Sequence, residues 1–164
     1  MLADAFIKGA LEKGHGAYKF ETAYKKINGC VACDTCWSRG TACSFRDDFA
    51  ELEPLLEDAD VIVFSTPLYW SSMPAQLKAA VDKFYAYVAE SCKHPLKIKE
   101  SVFMVCGECQ GMKIFDGIIE TYQGIADYMK WENRGIIAVP EVHARGDIQN
   151  TDALERAEKL GKSI

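Results

Sequence analysis

The sequence is short of positive charge. Its 164 residues carry 19 Lys and Arg against 24 Asp and Glu, a net charge of −5. Basic residues are scattered with no arginine-rich run, which argues against a binder of phosphate backbones. Long apolar runs are absent as well. The longest, such as Gly135-Ile136-Ile137-Ala138-Val139-Pro140, have the length of buried strands and fall well short of a membrane span. The start, Met1 to Lys8, lacks a basic leader followed by an unbroken apolar stretch. No signal peptide is read there, and a cytoplasmic location is expected. Repeats and low-complexity linkers are missing. Histidine is scarce: His15, His94 and His143 stand apart, and none pairs with a cysteine in a triad pattern.

What is present is enough for a core. Hydrophobic residues make up 49% of the chain and charged ones 26%, a globular balance. At this length a single domain over residues 1–164 is expected. Strands and helices alternate along it. Residues 3–13 place Phe6, Ile7, Ala10 and Leu11 at helical spacing before a glycine stop at Gly14. Residues 18–24, YKFETAY, alternate as an exposed strand does. An acidic helical stretch opens at Asp47-Asp48, and Pro54 is expected to break it. Residues 61–65, VIVFS, read as a strand buried on both faces. Met73 to Glu90 reads as one amphipathic helix, with Met73, Leu77, Ala80, Val81, Phe84, Tyr85 and Val88 inward and Pro74 in its first turn. Residues 101–106 read as a second buried strand, 114–130 as a second long helix, 135–139 as a third strand and 151–160 as a closing helix. Apolar strands separated by helices imply an α/β fold, a doubly wound parallel sheet covered on both faces. In such sheets ligands sit beyond the carboxyl ends of the strands. The loops after Phe64, Val105 and Val139 therefore carry most of the functional interest.

Seven cysteines offset the scarcity of histidine. Without a secretion signal they read as reduced thiols, metal ligands or redox groups, not structural disulfides. Four are tightly spaced: Cys30-Val-Ala-Cys33-Asp-Thr-Cys36, then Cys43, a C-x2-C-x2-C-x6-C pattern. Two-residue spacings let neighbouring sulfurs wrap one centre, and soft thiolates suit iron–sulfur clusters and zinc. The ladder of three resembles cluster loops more than zinc knuckles, which pair C-x2-C with a distant second pair. A tight loop with no metal fits the same spacing, and zinc is the third reading. Cys92, Cys106 and Cys109 read as small buried or loop residues.

The loop Ser65-Thr66-Pro67-Leu68-Tyr69-Trp70-Ser71-Ser72-Met73-Pro74 offers two large aromatics, three serines and a threonine, and a helix start. A planar, electron-poor ring can stack on Tyr69 or Trp70 while hydroxyls and backbone N–H groups bond its polar edge. The alternative is an aromatic plug over the sheet end. Cys106-Gly107-Glu108-Cys109-Gln110-Gly111 holds the same place after the next strand. Its glycines permit close backbone approach to a flat ligand; the alternative is a plain turn with Glu108 solvated. After the third strand, His143 is a candidate to line a pocket and Arg145 to meet an anionic group.

Three stretches resemble the NADPH-dependent FMN reductase family of flavodoxin-like proteins, and above all its iron–sulfur flavoprotein branch. They are CVACDTCWSRGTACSFRDDF (Cys30 to Phe49), ADVIVFSTPLYWSSMPAQLKAAVDKFY (Ala59 to Tyr85) and FMVCGE (Phe103 to Glu108). FDGIIETYQGIADYMKW (Phe115 to Trp131) and GDIQN (Gly146 to Asn150) extend the likeness over nearly the whole chain. The resemblance implies a three-layer α/β/α flavodoxin-like fold, a five-stranded sheet and an FMN at its carboxyl edge. Thr66, Pro67, Leu68, Tyr69, Trp70, Ser71 and Met73 would flank the flavin ring, together with Cys106, Gly107 and Glu108. Cys30, Cys33, Cys36 and Cys43 would hold a [4Fe–4S] cluster near the flavin, although relatives with a similar loop and no cluster exist. Also implied are homodimers or homotetramers, NAD(P)H or a ferredoxin-like protein as electron donor, and quinones, flavins or other small acceptors. No protein acid or base is expected.

The chain departs from the family pattern at its start. Family members open with a strand and a phosphate-cradling loop, roughly GSPRxxGNT, before the first helix. This sequence starts inside that helix, at Met1-Leu2-Ala3-Asp4-Ala5-Phe6. The absent loop is the anion site for the FMN phosphate, and the absent strand is the central one of the 2-1-3-4-5 order. Three explanations are open: an upstream strand and loop lost from the sequence, closure of the sheet by pairing the Lys19 segment with Val61, or a partner chain in the gap. Three functions stand beside one another. The first is an FMN-dependent, NAD(P)H-linked reductase, in which the flavin does the chemistry and the protein positions and tunes it. The second is an iron–sulfur flavoprotein relaying single electrons between proteins. The third is a zinc-stabilised or cofactor-free binding domain.

Overall fold

The computed structural model describes residues 1–164. In chain order its elements are α1 (Leu2–Glu12), α2 (Thr35–Arg39), α3 (Phe49–Asp58), β1 (Val61–Pro67), α4 (Ala75–Asp82), β2 (Glu100–Cys106), α5 (Asp116–Met129), β3 (Glu132–Val139) and α6 (Ala153–Gly161). Short 3-10 turns cover Thr22–Tyr24, Lys83–Val88, Lys113–Phe115 and Asp147–Asn150. The chain divides into two interleaved compact units. Residues 1–19, 61–73 and 100–164 form the first, and residues 20–60 and 74–99 the second. No helix is long and apolar enough to cross a membrane.

The first unit is a parallel sheet of three strands in the order β1-β2-β3, with helices on both faces. Central β2 is sealed: Ser101 to Val105 are all buried. Its side chains alternate between faces, as strand geometry requires. Val102 and Met104 join Ile137 and Val139 in the core under α1 and α6. Phe103 turns the other way and stacks on Tyr122 of α5 at 4.8 Å, with Phe64 edge-on at 6.1 Å. Each such side chain contributes about 1.5–3 kcal/mol by leaving water. Helices α1 and α6 approach closely because Gly9 lies against the Glu158 carbonyl and Gly161 against the Phe6 carbonyl. A side chain at either glycine would push the helices apart. At the far end of the sheet, Ser101 and Tyr122 hydroxyls meet at 2.9 Å, and Tyr122 donates to Asn133 Oδ1 at 3.0 Å. This network sits where the β2–β3 register shifts, so it fastens the bulge.

Two expectations for the sheet change. Residues 18–24 form no strand: the segment ends in a 3-10 turn, and Tyr18 and Tyr24 are exposed. The Lys19 segment does not pair with Val61, and the sheet has three strands in place of five. The alternation in YKFETAY buries no side chain, so a strand there has no face to gain from. For the same reason β1 is an edge strand. Val61, Ile62 and Val63 are half-buried, where burial on both faces was expected.

The second unit also corrects two readings. Pro54 lies inside α3 and does not end it. A proline there removes one backbone hydrogen bond, and the helix is held on either side by buried Phe49 and Leu56. The long helix expected from Met73 to Glu90 is α4 alone, capped by Pro74 and followed from Lys83 by 3-10 geometry. Tightening to three residues per turn rotates the later side chains. The buried stripe becomes Ala80, Lys83, Phe84 and Tyr87, while Tyr85 turns outward.

Candidate functional site

Three loops leave the carboxyl ends of the strands in the first unit, and backbone hydrogen bonds knit them together. Leu68 N–H donates to the Cys106 carbonyl at 2.7 Å, and Gly107 N–H to the Val139 carbonyl at 3.0 Å. Val142 N–H donates to the Gly107 carbonyl at 3.0 Å and Glu141 N–H to the Cys109 carbonyl at 3.2 Å. Gly107 lies so close to Leu68 that an added Cβ would stand 3.1 Å from the Leu68 Cβ. Residues 69–72 close a two-residue turn in which Tyr69 and Ser72 exchange both backbone bonds, at 3.1 and 2.9 Å. Trp70 (φ 50°) and Ser71 (φ 59°) are both left-handed, in a turn geometry that usually takes Asn-Gly. Such conformations cost about 1 kcal/mol or more apiece in side-chain-bearing residues. The result is Trp70 held wholly in solvent, with Tyr69 58% exposed beside it. Two left-handed residues thus hold a flat aromatic ring in solvent at the carboxyl edge of the sheet.

The other residues singled out at this edge differ in access. Pro67, Ser71 and Glu108 are exposed, Leu68, Cys106 and Gly107 half-buried, and Thr66 and Met73 buried. The Thr66 hydroxyl is engaged, donating to the Pro67 carbonyl at 3.1 Å. Burial pushes the Cys106 thiol up, which keeps it protonated at neutral pH. His143 and Arg145 are exposed, and the Asp147 carboxylate accepts the backbone N–H of His143 and of Ala144.

The cysteine loop belongs to the second unit. Cys30, Cys33, Cys36 and Cys43 all line one cavity, walled further by Phe45, Lys83 and Tyr85. It measures about 20 Å³, room for roughly one water. The thiols share this space without converging: no three Cys, His, Asp or Glu side chains stand where they could hold one metal ion. The loop is wound by left-handed Ala32 (φ 52°) and Asp34 (φ 54°), and Ala32 N–H points at Cys30 Sγ at 3.4 Å. Hydrogen bonds from the Thr35 hydroxyl and N–H hold the Cys33 thiol below its usual range. Burial pushes the Cys36 thiol up, and the nearby Cys43 and Cys30 add to it.

Both ends of that loop are fastened. Asp47 Oδ2 accepts Asn28 N–H at 2.9 Å and the Lys83 ammonium at 2.6 Å, while Oδ1 accepts Phe49 N–H at 3.0 Å. Asp48 and Lys26 form a second pair of bonds alongside. On the other side, the Trp37 ring stacks on Tyr85 at 4.8 Å and its Nε1–H donates to the Tyr85 carbonyl at 2.9 Å. Four soft donors on one cavity suit an iron–sulfur cluster or zinc in kind and number; ligation requires the loop to draw the sulfurs together. Spacing alone assigns neither Lys83 nor Asp47 a role at this loop; Asp47 stands there only as the start of an acidic helical stretch. A signal was there, since Lys83 falls on the same helical stripe as Ala80, Phe84 and Tyr87, a charge in an apolar row.

Comparison with known proteins gives one family match, two relatives and two solved structures. A family model described as NADPH-dependent FMN reductase matches residues 1–115. Over its whole length the chain is 26% identical to an iron-sulfur flavoprotein of Methanocaldococcus jannaschii and covers 86% of it. With an iron-sulfur flavoprotein of Archaeoglobus fulgidus it shares 35% identity over 86 residues, which is 52% of this chain and 39% of that protein's length. Among solved structures, an NAD(P)H:quinone oxidoreductase from Methanothermobacter marburgensis superposes with a TM-score of 0.75 at 20% identity, covering 99% of this chain and 86% of that one. A flavone reductase gives 0.66 at 18% identity, over 99% of this chain and 56% of its own. At these identities the structural likeness carries the fold, a flavodoxin-like α/β arrangement.

Proposed function

Because the chain belongs to the NADPH-dependent FMN reductase family, we propose that it is an FMN-dependent oxidoreductase carrying electrons from NAD(P)H to a small quinone- or flavin-type acceptor. The observation behind this reading is Trp70, fully exposed on a strained turn at the carboxyl edge of a parallel sheet. Bound there, FMN supplies the electron chemistry. The chain's own residues bind and orient the ring. Tyr69 and Trp70 offer flat faces, and Pro67, Ser71 and Glu108 border them with exposed polar and backbone groups. Leu68, Cys106 and Gly107 set the loop spacing through the Leu68–Cys106 bond. Thr66 and Met73 support the turn from its buried side. The Cys106 thiol stays neutral because burial disfavours its thiolate. No side chain at this edge is assigned to proton transfer. In the same reading the 164 residues work as one cytoplasmic domain that assembles as a homodimer or homotetramer.

The test is titration of the purified chain with FMN, followed by tryptophan fluorescence and flavin absorbance. Quenching that saturates, and that Trp70→Ala greatly reduces, is the expected result, with NAD(P)H consumption when a quinone is added. A chain that leaves both signals unchanged up to millimolar FMN is not a flavoprotein of this kind.

A second reading adds an iron–sulfur cluster on Cys30, Cys33, Cys36 and Cys43, relaying single electrons to a ferredoxin-like protein. Four thiols lining a single cavity favour it. Iron and sulfide content after anaerobic purification checks it. Iron-free protein whose stability is unaffected by Cys33→Ser overturns it.

A further inference from the structure

Lysine is almost never fully buried without strong compensation, because desolvating an ammonium costs several kcal/mol (roughly, in real proteins). Lys83 is such a lysine: its side chain is 1% exposed, and the Asp47 side chain that faces it is 6% exposed. The compensation is lopsided. Asp47 accepts from Lys83, from the backbone and side-chain nitrogens of Asn28 and from Phe49 N–H. Its negative charge is shared among four donors. The ammonium has three hydrogens and one acceptor, Asp47, beside the face of the Phe49 ring at 5.2 Å. Hydrogen-bond donors outnumber acceptors at the pair itself, and the half-buried Glu53 carboxylate is near enough to feel both charges.

Lys83 also lines the cavity that the four cysteines line. It is the single cation on those walls, and the other charged residue there, Asp34, is an anion. Four thiolates around zinc, or around an oxidised [4Fe–4S] core, carry a net charge of about −2. Nothing else on the walls offsets it. Hydrogen bonds and charge near the sulfurs are the means by which a protein tunes such a centre.

We propose that Lys83 is a positioning residue of the cysteine cavity, its buried ammonium supplying the countercharge to the anionic sulfurs of a metal–thiolate centre. The role rests on reading Cys30, Cys33, Cys36 and Cys43 as metal ligands. Asp47 serves it by fixing the ammonium and tying the loop's two ends, at Asn28 and Phe49, to the same carboxylate. A lysine that only stapled the fold would sit equally well away from the thiols.

The test uses the full chain under anaerobic conditions with Co²⁺ as the thiolate probe, titrated against a chelator. It also uses protein reconstituted with iron and sulfide, whose midpoint potential is measured. Lys83→Met combined with Asp47→Asn removes both charges and keeps an oxygen to accept the Asn28 and Phe49 N–H groups. Circular dichroism verifies that it folds, and Lys83→Gln takes its place if it does not. Expected are Co²⁺ binding about tenfold weaker or more, a midpoint moved to more negative potential, and substantial recovery of both in Lys83→Arg. A folded neutral variant with wild-type affinity and potential overturns the role of Lys83 and leaves the ligand reading standing. Wild-type protein that binds neither Co²⁺ nor a cluster overturns the ligand reading, and the role of Lys83 with it.

Discussion

Asp47 shows how much one carboxylate can organise. It meets Lys83, Asn28 and Phe49 at once, so Asp47→Ala strands a buried ammonium and two backbone donors. Breaking a buried pair from one side costs about 3–5 kcal/mol, and urea unfolding is expected to register a loss of that order. The carboxyl also sets an acid limit. Burial pushes its pKa up, but Lys83 and the N–H groups of Asn28 and Phe49 outweigh it and leave it below the ordinary 3.8. The unfolded chain therefore binds this proton more tightly than the folded one. The stability from ionised Asp47 is complete above the ordinary value and is lost as pH falls through the lower folded one. Acid titration of unfolding free energy below a pH of about 4 is expected to slope less steeply in Asp47→Asn than in wild type.

At the scale of elements, two close fits decide more than many surface charges do. Lys162 and Lys8 hold the Glu158 carboxyl down to about 2, yet exposed ion pairs of this kind contribute little to stability. The α1–α6 contact depends instead on Gly9 and Gly161, each against the other helix's backbone. Gly9→Ala or Gly161→Ala forces that contact open, with an expected loss of about 2–3 kcal/mol in thermal or urea melts. The 69–72 turn runs the opposite way. Ser71 sits at φ 59°, and Ser71→Gly relieves that strain. A gain of about 1 kcal/mol is expected, read as a higher midpoint of unfolding while Trp70 keeps its full exposure.

For the molecule as a whole, ligand linkage separates the readings. A ligand that binds only the folded chain stabilises it by about 2.7 kcal/mol at a hundred times its dissociation constant. Thermal melts with FMN at that excess are expected to move upward in wild type and to stay nearly in place in Trp70→Ala. The open carboxyl edge, where loops from β1, β2 and β3 share backbone hydrogen bonds, is the surface on which that stabilisation is expected to act.

Local pattern was enough to read β2 and β3 as apolar runs and α1, α5 and α6 as helices, although Leu11, on the helical spacing of α1, is exposed. It was also enough to point to the carboxyl-end loops and to the cysteine ladder, since strand–helix alternation and two-residue spacing are properties of the chain itself. Other features depended on neighbours that no local pattern contains. YKFETAY alternates but buries nothing, β1 has no outer partner, and Pro54 is carried by buried residues on either side of it. Trp70-Ser71 gives no warning of left-handed backbone, because neither residue type prefers it. Spacing brought the four cysteines to one cavity, but only the folded loop shows that their sulfurs stand short of convergence. Lys83 is the clearest case. A lysine in an apolar stripe was visible in the row of residues, whereas its burial, its partner and its place on the thiol cavity follow from distant segments meeting in three dimensions.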